Sequence, residues 1–257
     1  MALSAHTPAQ AEISINGNGD LNGESAPLLG EPGDVVQTPE TSIFSNLYTG
    51  TAWLAQAGVV LLVALVWVSV FQHPPLLPLF SPHPLLQSVG VFVVVQAILV
   101  LQPAVTPRTK IVGAHAHAAL QLLSFFILLS GVAIIEANKI RSHGAHFHSV
   151  HGYLGVLTAV VLVGQYVFGL LVWLAPAIIF GSGPDRVDRA KALWKQHRWS
   201  GYAVVLPLLL ATVITAIDTS YNVNVLNIRM WAVLVASALV VVGVYPRIHI
   251  RKLGLQQ

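Results

Sequence analysis

Residues 81–102 read Ser-Pro-His-Pro-Leu-Leu-Gln-Ser-Val-Gly-Val-Phe-Val-Val-Val-Gln-Ala-Ile-Leu-Val-Leu-Gln. The run has no charged side chain and is about as long as the 20 residues a helix needs to cross hydrocarbon. A barrel strand would alternate apolar and polar positions over about 10 residues; Val91-Phe-Val-Val-Val95 does not alternate. Pro84 suits a first helical turn, where its missing N–H has no partner to lose. The stretch is therefore a membrane helix, with His83 near its start.

The rest of the chain follows the same pattern. Of 257 residues, 55% are hydrophobic and 9% charged, with a mean hydropathy of +0.71; a soluble domain carries roughly 25% charged residues. No Asp, Glu, Lys or Arg occurs in 41–107 or in 142–184. The expected fold class is an all-α membrane protein with six transmembrane helices, near 51–71, 84–104, 111–136, 151–178, 197–217 and 230–246. Pro74, Pro75, Pro78 and Pro82 break the first connection. Residues 179–196 read as a polar, charged connection, and Pro207 is expected to kink helix five.

Composition also excludes. With no cysteine there are no disulfides, thiolate metal sites, cysteine-bound iron–sulfur clusters or c-type haem. A net charge of +3 and a pI near 9.3 come from basic loops flanking the membrane, and nothing points to nucleic acid. Neither a phosphate-cradling Gly-rich loop nor a nucleophile–base motif is present.

Residues 1–48 hold six acidic side chains and no Lys or Arg, and read as a disordered tail ahead of a transmembrane domain at 49–257. Within the tail, Glu24-Ser-Ala-Pro-Leu28-Leu29 resembles the acidic dileucine sorting signals of endosomal and vacuolar proteins. Ten Lys and Arg fall on the side of the two termini: Arg108, Lys110, Arg186, Arg189, Lys191, Lys195, Arg198, Arg247, Arg251 and Lys252. Only Lys139, Arg141 and Arg229 fall on the other. The positive-inside rule makes the first side, and both termini, cytoplasmic.

Four histidines sit near the ends of apolar segments, His83, His117, His151 and His197, at spacings of 34, 34 and 46 residues. An ionisable group at membrane depth is costly and therefore usually functional. Helix direction puts His83 and His151 at the outer level, and His117 and His197 at the cytoplasmic level. Each level then has one histidine from each of two helices, the way bundles build cofactor sites. Two imidazoles opposed across a flat ring suit a six-coordinate haem that transfers electrons. Gly113, Gly155 and Gly201 lie one turn from His117, His151 and His197, where a small residue lets a ring lie close, although small residues also serve helix contacts; Gln87 holds the matching place beside His83. His115 is two residues from His117 and faces away. His143, His146 and His148 read as a polar outer loop, with a zinc site at His146, His148 and His151 as a minor alternative.

Four motifs now stand in order: Ser81-Pro-His83-Pro-Leu-Leu, His117-Ala-Ala-Leu-Gln121-Leu-Leu, His151-Gly-Tyr-Leu-Gly155 and His197-Arg-Trp-Ser-Gly201-Tyr. Over about residues 50–250 the chain resembles the cytochrome b561 family, and most closely its short members with little beyond the core. The resemblance implies a four-helix core holding two haem b, with His83, His117, His151 and His197 as iron ligands. It implies electron transfer from cytoplasmic ascorbate to monodehydroascorbate or ferric iron across the bilayer, by a homodimer. It also points to Arg108 and Lys110 as holders of the ascorbate anion, though both suit plain positive-inside charges. Lys139, Arg141 and His148 are the candidates at the acceptor side. The family often has Met where this chain has Gln87, and the charged fourth connection is a second departure.

Two other classes compete with this reading. A histidine-based proton or metal transporter predicts acidic partners within the helices, where only Glu136 and Asp218 come close. The other is a haem-free membrane scaffold whose tail recruits sorting machinery.

Overall fold

The computed structural model describes residues 35–38, 40–174, 183 and 185–249. Six helices long and apolar enough to cross a membrane run over Ala52–Gln72, Pro82–Leu101, Pro107–Ser142, Val150–Leu174, Asp188–Asp218 and Met230–Arg247. Among the described residues there is no strand. The elements are α1 (Ala52–Gln72), α2 (Pro82–Leu101), α3 (Pro107–Ser142), α4 (Val150–Leu174), α5 (Arg186–Ser200), α6 (Leu206–Thr215) and α7 (Met230–Val244).

Two boundaries differ from expectation, each for a local reason. The third helix spans 107–142 rather than 111–136. Thr106 and Thr109 cap its start reciprocally, Pro107 supplies the first turn, and the helix ends only where His143 turns left-handed at φ 53°. The second difference is that most of the 179–196 connection is helical. α5 begins at Arg186, so His197 lies three turns inside a helix rather than at its start. Its alternating charges decorate a solvated helix, which periodicity in an apolar scan does not register. Residues 175–182, including the expected end of helix four, lie outside the described residues.

Pro207 acts through a π turn, Gly201–Val205, that joins α5 to α6. A proline has no N–H to return to the preceding turn, and one widened turn accommodates that loss. Further along, α6 runs into a short 3-10 turn, Ala216–Asp218.

The bundle is held by two adjoining apolar clusters. Ala52, Ala55 and Val59 of α1 meet Val95 and Leu99 of α2, Leu206 and Leu210 of α6, and Val240 and Val244 of α7. Leu62, Val91, Leu128, Leu162 and Val233 continue the core toward the other end. α1 and α7 approach closely through small residues: a Cβ on Gly243 would collide with the Ala55 backbone, and one on Gly58 would stand 2.6 Å from Ala236 O. Close backbone approach through small side chains is the usual source of membrane helix packing energy.

At the end carrying Arg108, Lys110 and the α5 cations, termed the basic end below, the chain clasps itself. The Gln37 N–H donates to Pro103 O (3.0 Å). The Asn46 amide donates to Gln37 Oε1 (2.9 Å) and Val100 O (2.7 Å). Arg247 donates to Thr49 O (3.0 Å) and Asn46 O (2.8 Å). Asn46 is buried, as is Arg247. The expected boundary at residue 48 thus falls within packed structure, while residues 1–34, with the Glu24–Leu29 stretch, lie outside the described residues.

Candidate metal-cofactor site

The four histidines meet in two pairs at opposite ends of the bundle. His83 of α2 and His151 of α4 have ring centroids 6.3 Å apart at 74°. His117 of α3 and His197 of α5 are 6.5 Å apart at 90°. An imidazole nitrogen lies about 2.0 Å from a first-row metal and its ring centroid about 1.1 Å beyond, so two rings on one axis have centroids about 6.2 Å apart. Both pairs stand at the separation of a shared axial metal.

Each ring is also oriented from behind. The Nδ1 of His83 is 2.9 Å from Gly131 O, that of His117 is 2.7 Å from Ala97 O, and that of His151 is 3.0 Å from Thr212 O. A backbone carbonyl can only accept, so in these three rings Nδ1 carries the proton and Nε2 keeps its lone pair. Such a bond fixes the tautomer and raises the basicity of a metal-binding imidazole. The fourth ring, His197, faces the Gln165 carboxamide instead, and it presses on α4 so closely that a Cβ on Gly169 would stand 2.9 Å from its Cε1.

Helix geometry measures the gap between levels twice. Gly131, which holds His83, follows His117 by 14 residues on α3, and Gln165, which contacts His197, follows His151 by 14 on α4. Each interval is about 21 Å along a helix, inside a hydrocarbon slab of about 30 Å. Midway along α3, Ser124 Oγ lies 2.8 Å from the Tyr166 hydroxyl, and Tyr166 packs edge-on against Phe125 at 5.1 Å. Phe125 and Tyr166 border the cavity that contains His83 and His151.

At the end opposite the basic one, a cavity of about 480 Å³ contains His83 and His151. Gly155 borders it, with nothing within 4 Å of where a Cβ would lie, so the room foreseen beside His151 exists. Gly113 differs: its missing Cβ accommodates Leu101 (3.1 Å) and Ala104 (3.4 Å) of the neighbouring segment, which makes it a packing residue. Gly201 has Gln165 Nε2 at 3.4 Å. Gln87 lines the cavity and donates to Leu128 O (3.0 Å), tying α2 to α3.

The other candidates separate by position. Lys139 and His148 border the cavity, whereas exposed Arg141 does not. Sequence reading gave no acceptor-side role to Glu136, also at the cavity, which pairs with Lys139 Nζ (3.0 Å) and His146 Nδ1 (3.1 Å). Lys110 precedes His117 by two turns and shares its face of α3, while Arg108 stands on the opposite face; both are exposed. His115 contacts its own helix at Ile111 O (2.9 Å) and Trp173, away from the pair. No group of three His, Cys, Asp or Glu able to hold a bare metal ion occurs among the described residues. The acidic side chains within the spans are Glu136 and Asp218, toward the end opposite the basic one, and Asp188 at the basic end; Asp218 is exposed.

Comparison with known proteins matches this core. The chain is 29% identical to the lysosomal membrane ascorbate-dependent ferrireductase CYB561A3 of Danio rerio over 54% of each chain. It is 31% identical to the transmembrane reductase CYB561D2 of Mus musculus over 54% of this chain and 63% of that one. It is also 30% identical to the probable transmembrane reductase CYB561D1 of Mus musculus, over 47% and 56%. The chain spans about half the length of the curated relatives it matches. The model of the eukaryotic cytochrome b561 family, whose members bind haem b, matches residues 82–224, the segment that carries all four paired histidines. The chain belongs to the cytochrome b561 family.

Proposed function

We propose that this protein is a transmembrane oxidoreductase that moves single electrons from ascorbate at its basic, cytoplasmic end to ferric iron or monodehydroascorbate at the other. The observation that carries this reading is the pair of histidine pairs, with centroids 6.3 Å and 6.5 Å apart, one near each end of a membrane bundle. When bound, two haem b would supply a six-coordinate iron couple at each level, able to pass electrons but with no open position for oxygen.

The chain's own part is positioning and selection. His83 and His151 would ligate one iron, His117 and His197 the other, through Nε2. Lys110, on the face of His117, attracts the ascorbate monoanion to the basic end; Arg108 adds to the field there. Ascorbate loses one electron and one proton and leaves as monodehydroascorbate. At the other end Lys139 and His148 border the cavity as acceptor-side residues, and Arg141 contributes only surface charge. There ferric iron gains one electron, or monodehydroascorbate gains one electron and one proton. The names of the relatives support the donor and the ferric acceptor, and the lysosomal relative supports an endolysosomal membrane. The resemblance of Glu24–Leu29 to an acidic dileucine signal fits that address.

The test is an absorbance spectrum of purified protein, oxidised and then with ascorbate, with haem counted per chain. In vesicles loaded with ascorbate, ferrous iron should then appear outside. Two low-spin b haems that ascorbate reduces bear the reading out; well-folded protein without haem overturns it.

A further inference from the structure

Three of the four paired histidines lean on backbone carbonyls; His197 leans on a side chain. Gln165 Nε2 lies 3.2 Å from His197 Nδ1 and donates to His197 O at 2.8 Å. The Ser200 hydroxyl is 2.9 Å from Gln165 Oε1 and 3.1 Å from His197 O. An amide N–H aimed at Nδ1 makes that nitrogen the acceptor. With that end of the carboxamide toward the ring, the neutral ring's proton sits on Nε2, the nitrogen a metal would need.

A carboxamide has the same shape at both ends and can turn over about its last bond. Turned over, Gln165 Oε1 accepts from His197 Nδ1–H, its Nε2 donates to Ser200 Oγ, and the Ser200 hydroxyl donates to His197 O. Each group keeps a partner, and Nε2 of His197 is released as a lone pair. The contact that worsens is Oε1 against His197 O, which a shift of a few tenths of an ångström relieves. Gly169, against the ring's Cε1 at 2.9 Å, leaves His197 little room to solve the problem by swinging instead.

We propose that Gln165 is the positioning residue of the basic-end haem: with its carboxamide oxygen toward the ring it accepts from His197 Nδ1–H and so sets the electron-donor strength of His197. Because a side chain replaces a backbone carbonyl here, this is the one level whose ligand strength a single substitution can change without altering the ligand. The inference rests on His197 being a haem ligand.

The experiment is an equilibrium redox titration of the purified holoprotein, followed by haem absorbance, for wild type, Gln165→Glu, Gln165→Leu and His197→Ala. A stronger acceptor on Nδ1–H pushes electron density to the iron and favours its oxidised state. Gln165→Glu should lower the potential of one haem and Gln165→Leu should raise the potential of the same haem. The other haem should stay put, and the haem that moves should be the one absent from His197→Ala. Shifts in the same direction, no shift, or equal movement of both haems overturn the inference. If Gln165→Leu sheds a haem, Gln165→Glu decides, since it keeps shape and acceptor: retention with a lowered potential supports the role, loss overturns it. Two haems retained in His197→Ala would instead overturn the ligand assignment, and the inference with it.

Discussion

The ring planes of His117 and His197 stand at 90° to each other, whereas those of His83 and His151 stand at 74°. If each pair held one iron, each imidazole would donate from the π orbital perpendicular to its own plane. With perpendicular planes the two rings would raise different iron d orbitals by similar amounts and leave them nearly degenerate. Electron paramagnetic resonance of the oxidised protein should therefore show highly anisotropic low-spin signals. The signal lost in His197→Ala should be the more anisotropic of the two.

Removing a ligand at either end should separate the half-reactions. In His83→Ala, haem per chain should fall from two to one, ascorbate should still reduce the haem that remains, and ferric reduction should fall by at least tenfold. His117→Ala should also halve the haem content but abolish rapid reduction by ascorbate. Haem quantification and stopped-flow absorbance check both.

Gly155 and Gly169 make opposite demands on a new side chain. A methyl at Gly169 meets His197 Cε1 at 2.9 Å, within the protein itself, whereas one at Gly155 meets nothing within 4 Å. Gly169→Ala should loosen the basic-end site and lower its haem occupancy. Gly155→Val should leave the thermal unfolding of haem-free protein within about 0.5 kcal/mol of wild type, as for a surface change, yet reduce occupancy at the other end. Haem content and unfolding midpoint, measured side by side, distinguish the two.

For the donor side, Lys110→Ala should raise KM for ascorbate more than Arg108→Ala, because only Lys110 shares the face of His117. A hydrogen bond to a charged group is worth about 1.5–3 kcal/mol, so the Lys110 effect should be roughly 10- to 160-fold. Equal small effects from the two variants would mark them as membrane-flanking charges.

Arg247→Ala removes the guanidinium bonds to Thr49 O and Asn46 O in a buried clasp; Thr49 O keeps the Ala52 N–H (3.2 Å). Stranding a buried acceptor costs about 1–3 kcal/mol, and the unfolding midpoint in detergent should fall accordingly, with haem spectra unchanged.

The two histidine levels were legible in the sequence because a membrane helix converts residue number directly into depth. Rotation about the helix axis, not depth, set His115 aside, and it did not separate Lys110 from Arg108 until the start of α3 was known. Gln165 was missed although its signal was present: it follows His151 by the same 14 residues that separate His117 from Gly131. Reading it would have required knowing which histidine lacked a carbonyl, a tertiary fact. The helix over 186–196 escaped because its alternating charges resemble a loop when only apolar length is scored. The pairing of Glu136 with His146 depends on how the chain turns at His143 and Phe147, where φ is positive, and no spacing rule foretells that. The packing of residues 35–38 and 40–48 went unread because it rests on partners such as Asn46 and Arg247, 201 residues apart, and not on local composition.

That separation has a consequence for biogenesis. At about 5–20 residues per second, a ribosome takes roughly 10–40 s to make the chain between those two residues. Through that interval all four histidines have been synthesised, while Asn46 O still waits for the guanidinium that will seal it. A nascent protein stalled before Arg247 would thus present a complete cofactor frame in an unlatched shell. α7 brings Val233, Val240 and Val244 to the core, so core and latch are both completed only after the four histidines have been made.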